Sequence, residues 1–369
     1  MKIPFYSLSE SHFDLEIEMQ NAMISVLRSN WFVGGSNVSE FENEYSSFNE
    51  TTYTIATSNG LDAIFLALKA LGIGKNDRVI VPSNTFIATA LAVTYADAIP
   101  VFAEPKEDTY NINPANIEDV LSADCKAIIP VHLYGQACEM TKIMEIAKIN
   151  NLHVIEDNAQ AQGSSFQGKL TGSWGSANAT SFYPTKNLGA FGDAGAVTTD
   201  DALLFDKLKV LRNYGSNKKY FHDEIGYNKR MDEIQAAILN VKLKYLKTWI
   251  KQRKAVAKIY TDSLKGIGDL QLPTTYEGSD HVFHLYVIKT NVRDELQNYL
   301  RGHGISTMIH YPIPPHLQRC YHELGYKKGD FPVAESIAET ALSLPLWPGM
   351  STNSIEYVVA RIKQFFYGR

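Results

Sequence analysis

Apolar and polar residues change their spacing along the chain. Residues up to about 50 carry apolar side chains at helical spacing, clearly over 14–27 and more weakly over 38–48. After them, short β-rich runs alternate with amphipathic helical runs. The spacing predicts strands at 53–56, 78–81, 100–102, 127–131 and 153–156, and helices at 61–71, 85–95 and 140–149. Such alternation is typical of βαβ units and predicts a parallel sheet with helices on both faces.

The second half of the chain has a different pattern. Two more β-rich runs, 179–183 and 196–199, precede a long helical stretch over about 230–264. Beyond it the pattern predicts strands at 281–289 and 305–309 and helices at 294–303, 335–342 and 355–366. We therefore predict an α/β fold with two domains. Residues 1–245 form N-terminal helices and a large domain around a mostly parallel sheet, and residues 246–369 form a long helix and a smaller C-terminal α+β domain.

Composition excludes several classes of protein. Of 369 residues, 45% are hydrophobic and 20% are charged, which rules out a disordered or collagen-like chain. The 35 basic and 40 acidic side chains give a net charge of −5, and basic residues never run beyond adjacent pairs. Nucleic-acid binding, which needs clustered basic charge, is therefore not expected. A local basic pocket for a phosphorylated small molecule remains compatible with this charge.

Cysteine content and hydropathy indicate the cellular compartment in which the protein is expected. Cys125, Cys138 and Cys320 are too few and too scattered for a disulfide framework or a four-thiolate metal site, so we expect core thiols in a reducing cytosol and no metal. The N-terminus has no apolar core of a signal peptide. The most apolar stretch, 87–102, contains Asp97 and Pro100 and falls short of the ~20 apolar residues of a membrane span. These features predict a soluble cytoplasmic protein without a membrane partner.

A carboxylate and a lysine follow two of the predicted strands. Asp157 ends the run Val-Ile-Glu-Asp, and Lys186 precedes a glycine-rich loop in Ser-Phe-Tyr-Pro-Thr-Lys-Asn-Leu-Gly. Each alone has an ordinary explanation, a helix cap or a solvated loop lysine. Together they suit pyridoxal 5'-phosphate, which needs a lysine for its Schiff base and an acid beside its ring nitrogen. The lysine can also move protons as a general base and acid, and the carboxylate keeps the ring nitrogen protonated.

These segments, together with Pro-Ser-Asn-Thr-Phe at 82–86, resemble the sugar-nucleotide aminotransferases of the DegT/StrS type. That family consists of pyridoxal-phosphate enzymes with the aspartate aminotransferase fold, fold type I. The resemblance extends from Ile3 to Leu346. It implies a nucleotide-linked ketosugar as substrate, L-glutamate as amino donor, and a homodimer with shared active sites.

The resemblance also implies roles for individual residues. Lys186 would bind the cofactor covalently, and Asp157 would contact its pyridine nitrogen. Further cofactor contacts would come from Gln160 at the phenolic oxygen, Phe86 on a ring face, Gly60, Leu61 and Ser181 at the phosphate, and Asn228 at the phosphate of the other subunit. The helix predicted from residue 61 independently favours a phosphate beside Gly60 and Leu61. Substrate contacts would come from Tyr183, His310 and Tyr311 in the sugar cleft and from Arg212, Lys219 and Arg230 at the diphosphate.

Three segments, 82–90, 131–136 and 211–216, resemble the branch that aminates C3 of dTDP-3-keto-6-deoxyhexoses, giving dTDP-3-amino-3,6-dideoxyhexoses. Gln162 departs from that branch, which commonly has histidine there, so altered sugar contacts are expected. A C4 aminotransferase acting on a dTDP- or UDP-4-keto-6-deoxyhexose is the main alternative. A 3-dehydratase would have histidine in place of Lys186, and a non-catalytic regulator would be expected to lose Lys186 or Asp157.

Overall fold

The structure is a computed structural model that describes residues 1–368. Its β-strands form one large sheet and two small ones. The strands are β1 (Tyr53–Thr57), β2 (Arg78–Pro82), β3 (Ile99–Ala103), β4 (Cys125–Ile128), β5 (His153–Asp157), β6 (Ser165–Phe166), β7 (Lys169–Leu170), β8 (Ala177–Ser181), β9 (Gly195–Thr199), β10 (Tyr286–Lys289) and β11 (Ala341–Leu344). The large sheet has seven strands in the order β1-β9-β8-β5-β4-β2-β3. Strands β6 and β7 form one small sheet, and β10 and β11 form the other.

The large sheet is mostly parallel, as predicted. Strands β3, β2, β4, β5 and β8 run parallel to one another, and β9 is antiparallel to both β8 and β1. Since β1 and β8 both oppose β9, they point the same way as each other. The carboxyl ends of β1, β5 and β8 therefore meet at one edge of the sheet, where open α/β sheets bind ligands.

Helices cover both faces of this sheet. The described residues contain α1 (Ser9–Phe13), α2 (Glu16–Ser29), α3 (Ser36–Asn49), α4 (Gly60–Ala70), α5 (Ile87–Tyr95), α6 (Pro114–Asp119), α7 (Met140–Ile149), α8 (Ala202–Arg212), α9 (Glu233–Leu243), α10 (Leu246–Leu264), α11 (Arg293–Gly302), α12 (Pro332–Thr340) and α13 (Thr352–Tyr367). Side chains alternate along a strand, so Val79 and Val81 pack with α4, α5 and α8 on one face. Ile80 packs with α6 and α7 on the other.

The C-terminal part has its own apolar cluster. Residues of α10, α11 and α13 pack there against β10 and β11. Ile3 also belongs to this cluster and forms a bridge to Ile305, so the first residues of the chain pack with the last third. The division into domains at residues 245 and 246 stays a prediction. Among the described residues, no helix combines the length and apolar character that crossing a membrane requires.

The long helical stretch predicted over about 230–264 is helical but divided, because the chain forms α9 and α10 with a break at Lys244 and Tyr245. Helix α9 packs against α2 and α3, whereas α10 packs against α13, so the chain must turn between them. The Tyr245 amide donates to the Lys242 carbonyl at 3.0 Å, a tighter turn than that of an α-helix. Both break residues keep right-handed helical dihedral angles, so the apolar spacing continues through the turn and does not reveal it.

Other differences arise in the C-terminal part. The predicted strand at 281–289 is regular only over β10, because Val282 donates to the Gly135 carbonyl instead of joining the small sheet. The predicted strand at 305–309 makes only isolated bridges, at Ile305 and Met308. The helix predicted over 335–342 ends at Thr340, where the chain continues as β11. Of the three cysteines expected in the core, Cys320 is exposed.

Candidate active site

The sheet edge where β1, β5 and β8 end forms the floor of a cavity of about 530 Å³. Asp157 is the last residue of β5, Ser181 is the last residue of β8, and α4 begins at Gly60 just after β1. Ten of the residues predicted for the site line this cavity. They are Gly60, Leu61, Phe86, Asp157, Gln160, Ser181, Tyr183, Lys186, His310 and Tyr311.

Asp157 is a buried acid held by two hydrogen bonds. Thr89 Oγ1 donates to one carboxylate oxygen at 2.8 Å, and the Ala159 amide donates to the other at 3.1 Å. Burial raises the pKa of the Asp157 carboxyl, while these hydrogen bonds and the charge of Lys186 oppose that rise. The carboxylate is therefore held in one orientation, in which it can stabilise a positive group that binds against it.

Lys186 brings an amine to the same cavity. Its backbone amide donates to the Tyr183 carbonyl at 2.8 Å, which fixes the turn after β8. Burial lowers the pKa of the Lys186 amine to about 8, and the charge of Asp157 works against that shift. About a tenth of the amine is then neutral at pH 7, and the neutral amine is the form that acts as a nucleophile or general base.

The first turn of α4 can hold an anion. No hydrogen bond donated by the Gly60 or Leu61 amide is found within residues 1–368, as expected for amides at the start of a helix. A Cβ at Gly60 would lie 2.6 Å from the Ser181 Cβ, so only glycine allows the helix to begin this close to β8. Free amides at the positive end of the helix dipole, with the Ser181 hydroxyl beside them, suit a phosphate.

Aromatic and amide side chains line another part of the cavity. Gln160 Nε2 donates to the Tyr311 hydroxyl at 3.0 Å, and Gln160 Oε1 accepts from the Tyr134 amide at 2.6 Å. The rings of Phe86 and Tyr311 lie 5.2 Å apart, and half of Phe86 is exposed. These groups leave an aromatic face available to a flat ring.

His310 and Tyr183 also lie in the cavity wall. His310 Nδ1 lies 2.8 Å from the Ser343 hydroxyl, and the His310 carbonyl accepts from the Tyr134 hydroxyl. Burial and the nearby Lys186 lower the pKa of His310 to about 4, so its imidazole is neutral at neutral pH. It can orient a polar substrate group but does not carry charge.

Four residues predicted for the site do not line the cavity. Arg212 donates to Glu42 and to the Ala56 carbonyl, which gives its guanidinium a structural role within the chain. Arg230 donates to the Asn213 side chain, Lys219 is exposed, and Asn228 is exposed where it pairs with Asn213. Their predicted roles at the diphosphate and the phosphate stay predictions.

The structure corrects the predicted location of Gln162. The sequence predicts it near the sugar, but its side chain is fully buried and Nε2 donates to the Ser181 carbonyl at 2.7 Å. The cavity lining does not include it. Through this hydrogen bond Gln162 holds the end of β8 in place. Its effect on a substrate is therefore indirect, through the position of Ser181.

Sequence reasoning missed a hydroxyl pair behind Asp157. Thr85 and Thr89 are both buried, and their hydroxyls lie 2.9 Å apart. Because Thr89 already donates to Asp157, Thr85 is the donor to Thr89. The sequence held a partial signal, since two threonines four residues apart in the helix predicted over 85–95 would share one face, although Thr85 precedes α5 in the structure. His284, a buried histidine in the cavity wall, was missed as well.

The donor set fits pyridoxal phosphate. A buried amine faces a buried carboxylate, free helix amides suit the phosphate, and an aromatic wall suits the ring. A mostly parallel sheet with these groups at its carboxyl edge is the arrangement of a pyridoxal-phosphate-dependent enzyme.

Comparison with known proteins identifies the family. Residues 14–363 match the DegT/DnrJ/EryC1/StrS aminotransferase family, and the chain belongs to it. Over 365 residues it is 46% identical to a dTDP-3-amino-3,6-dideoxy-alpha-D-galactopyranose transaminase of Aneurinibacillus thermoaerophilus, covering 99% of this chain and 100% of the relative. Over 368 residues it is 45% identical to a pleiotropic regulatory protein of Geobacillus stearothermophilus, covering 99% of both chains.

A solved structure shows the same fold. The S. venezuelae protein DesV, in complex with a ketimine intermediate, superposes with a TM-score of 0.97 at 41% identity, covering 99% of this chain and 98% of that one. The chain is accordingly a pyridoxal-phosphate-dependent sugar-nucleotide aminotransferase.

Proposed function

We propose that this aminotransferase moves an amino group from L-glutamate to C3 of a dTDP-3-keto-6-deoxyhexose and releases a dTDP-3-amino-3,6-dideoxyhexose. The observation that supports the reaction is that Lys186 and Asp157 line the same cavity as Tyr183, His310 and Tyr311. The preference for C3 is supported by the segments at 82–90 and 131–136, which resemble the C3 branch. Both contribute cavity walls, through Thr85, Phe86, Thr89 and Val131.

Bound pyridoxal phosphate supplies an aldehyde that accepts the donor's amine and a ring that takes up the electron pair released when a proton leaves carbon. Lys186 provides the base for that proton. Its amine, with a pKa of about 8, can take a proton from the donor carbon and deliver it elsewhere in the same cavity. The same proton movement in the reverse direction completes transfer to the sugar.

Asp157 acts on the ring nitrogen side of the cavity in this proposal. Its carboxylate stabilises a protonated nitrogen, and Thr89 and Ala159 hold it in one orientation. Gln160 would hold the phenolic oxygen, and the amides of Gly60 and Leu61 would bind the phosphate. In this proposal Asp157 supplies the charge, its hydrogen-bond donors fix its orientation, and Lys186 transfers the proton.

We predict that the enzyme aminates C3 rather than C4. Reacting atoms must approach to about 3–3.5 Å, and a misplacement of about 1 Å can cost on the order of a hundredfold in rate. A cleft that presents C3 should therefore discriminate by about a hundredfold against C4. The test incubates enzyme and L-glutamate with dTDP-3-keto- or dTDP-4-keto-6-deoxyglucose and locates nitrogen in the product by mass spectrometry and proton NMR. Nitrogen on C4 would overturn the assignment within the family.

We also propose a homodimer with shared active sites. Asn228 is exposed and lies outside the cavity of its own chain. It could therefore contact a bound phosphate only in the cavity of a second copy of the chain. Exposed aromatic side chains support an interface, since Trp31 is 60% exposed and Phe32 is 51% exposed. Large aromatic side chains are enriched in the buried centres of protein interfaces.

Mixed dimers are expected to regain activity. In a dimer of Lys186→Ala and Asn228→Asp subunits, one site combines the intact lysine of one chain with the intact asparagine of the other. Random assortment of equal amounts would restore about a quarter of the sites of a two-fold symmetric dimer. The measurement is turnover after subunit exchange, with each variant alone as control. A fully active monomer in sedimentation at assay concentration would contradict the shared site.

A further inference from the structure

A second cavity of about 280 Å³ adjoins the first. Both cavities have Tyr183, Thr185, His284 and His310 in their walls, so the two cavities lie side by side along these residues. The remaining wall is apolar except for the Tyr6 hydroxyl and comes from Phe5, Leu285, Met308, Leu344 and Leu346. No aspartate or glutamate lines it. A molecule that reacts beside Lys186 could therefore extend one end into this second cavity.

A buried cation lies behind this cavity. Arg253 is fully buried on α10, and among residues 1–368 no carboxylate forms an ion pair with it. Its guanidinium donates to the carbonyls of Phe283 and His284, each at 3.3 Å, and to the Tyr6 hydroxyl at 3.3 Å. Its Nε has no hydrogen-bond partner. A buried charge without a counterion is costly, and a bound anion would offset that cost.

Two side chains connect this cation to the cavity. Tyr6 accepts its hydrogen bond from Arg253, which leaves the Tyr6 hydroxyl proton free, and no acceptor for that proton is found within residues 1–368. His284 is buried and lines both cavities. Its Nδ1 is buried without a hydrogen-bond partner, so Nε2 is the ring nitrogen that can present an N–H to the cavity. Burial, Lys186 and Arg253 lower the pKa of His284, so its imidazole is neutral. A neutral imidazole retains one N–H donor.

We propose that the second cavity binds a carboxylate of the amino-acid donor, held by the Tyr6 hydroxyl and the His284 imidazole with Arg253 supplying the charge behind Tyr6. The inference rests on the proposed use of an amino-acid donor and deepens it by assigning the donor a site of its own. A carboxylate fits because two neutral donors backed by one cation match a single negative charge. The apolar remainder of the wall suits the short methylene chain of a dicarboxylic amino acid.

The test is Tyr6→Phe, which removes one hydroxyl and keeps the ring. Loss of a hydrogen bond to a charged group should raise the KM for L-glutamate by about ten- to a hundredfold. The KM for the nucleotide ketosugar and the absorbance of bound cofactor should stay unchanged. Independently of turnover, titration calorimetry of the holoenzyme should show weaker binding of glutarate to the variant by a similar factor. Glutaramide, which has the same length but no charge, should not distinguish variant from parent.

A matched control is Tyr357→Phe, which removes a hydroxyl that donates to the His303 carbonyl at 3.1 Å, outside both cavities. It should leave the KM for L-glutamate unchanged. Equal changes in both KM values for Tyr6→Phe, or unchanged glutarate affinity, would show that Arg253 and Tyr6 only hold the fold together. If the parent enzyme did not use L-glutamate at all, the proposed function would fail in that part, and glutarate binding would still test the site.

Discussion

Lys186→Ala is expected to abolish turnover while leaving the protein folded. The substitution removes the one lysine that lines the cavity. On the proposed roles of Lys186, it would remove both the covalent attachment of the cofactor and the base that moves the proton. General acid–base catalysis alone contributes about 10²–10⁴-fold, so a loss of at least about a thousandfold is expected. The measurement is product formation by mass spectrometry, together with loss of bound cofactor on dialysis. Lys148→Ala, at an exposed lysine on α7, is the control and should behave like the parent.

The same variant should change the pH dependence of stability in the cofactor-free protein. The pKa of Lys186 falls from 10.5 to about 8 on folding, so between those pH values the unfolded chain holds a proton that the folded chain lacks. The free energy of unfolding of the parent should therefore rise with pH across this window, and Lys186→Ala should lack that rise. Denaturant unfolding at about pH 7.5 and about pH 10, close to the two ends of the window, measures the difference. Full turnover in the variant would disprove the assignment of Lys186.

Asp157→Asn is expected to reduce turnover by roughly tenfold or more. The amide keeps the shape of the side chain but removes the negative charge that, in the proposed mechanism, keeps the ring nitrogen protonated. A change of one pKa unit corresponds to about 1.4 kcal/mol, which is about tenfold in the rate of a step that depends on that charge. The measurement is the rate of proton transfer in each half-reaction under single-turnover conditions.

Asp193→Asn provides the comparison for Asp157. Asp193 lines the same cavity but is exposed, so its charge is screened by solvent. Its substitution should have a much smaller effect on the proton-transfer rate. Equal effects of the two substitutions, or near-normal turnover of Asp157→Asn with cofactor bound, would mean that another acid faces the ring.

Much of the fold can be predicted because the parallel sheet leaves a strong local signal. Its strands are buried on both faces and alternate with amphipathic helices, so the pattern predicts α7 with the bounds it has in the structure. The break between α9 and α10 cannot be predicted, because helical dihedral angles continue through Lys244 and Tyr245. Strand β11 is also missed, since its four residues follow α12 directly and pair with β10, more than 50 positions earlier.

The candidate site divides in a similar way. The residue types at Asp157 and Lys186 and the glycine at the start of α4 are chemical requirements of one cofactor, and sequence alone determined them. Which side chains share a wall depends on contacts between distant segments. Only the tertiary structure placed Gln162 beneath Ser181 rather than beside a sugar.

The sequence by itself thus determined the class of fold, the amine and the acid, because periodic burial and short motifs are local properties of the chain. The tertiary structure decided that Thr89 orients Asp157, that Arg212 is paired with Glu42, and that Tyr6 meets Arg253 across 247 positions. Such contacts depend on the crossing of strands and the return of the N-terminus to the C-terminal cluster. No spacing within one segment encodes them, since their energy comes from desolvation and hydrogen bonding between segments that meet only in the folded chain.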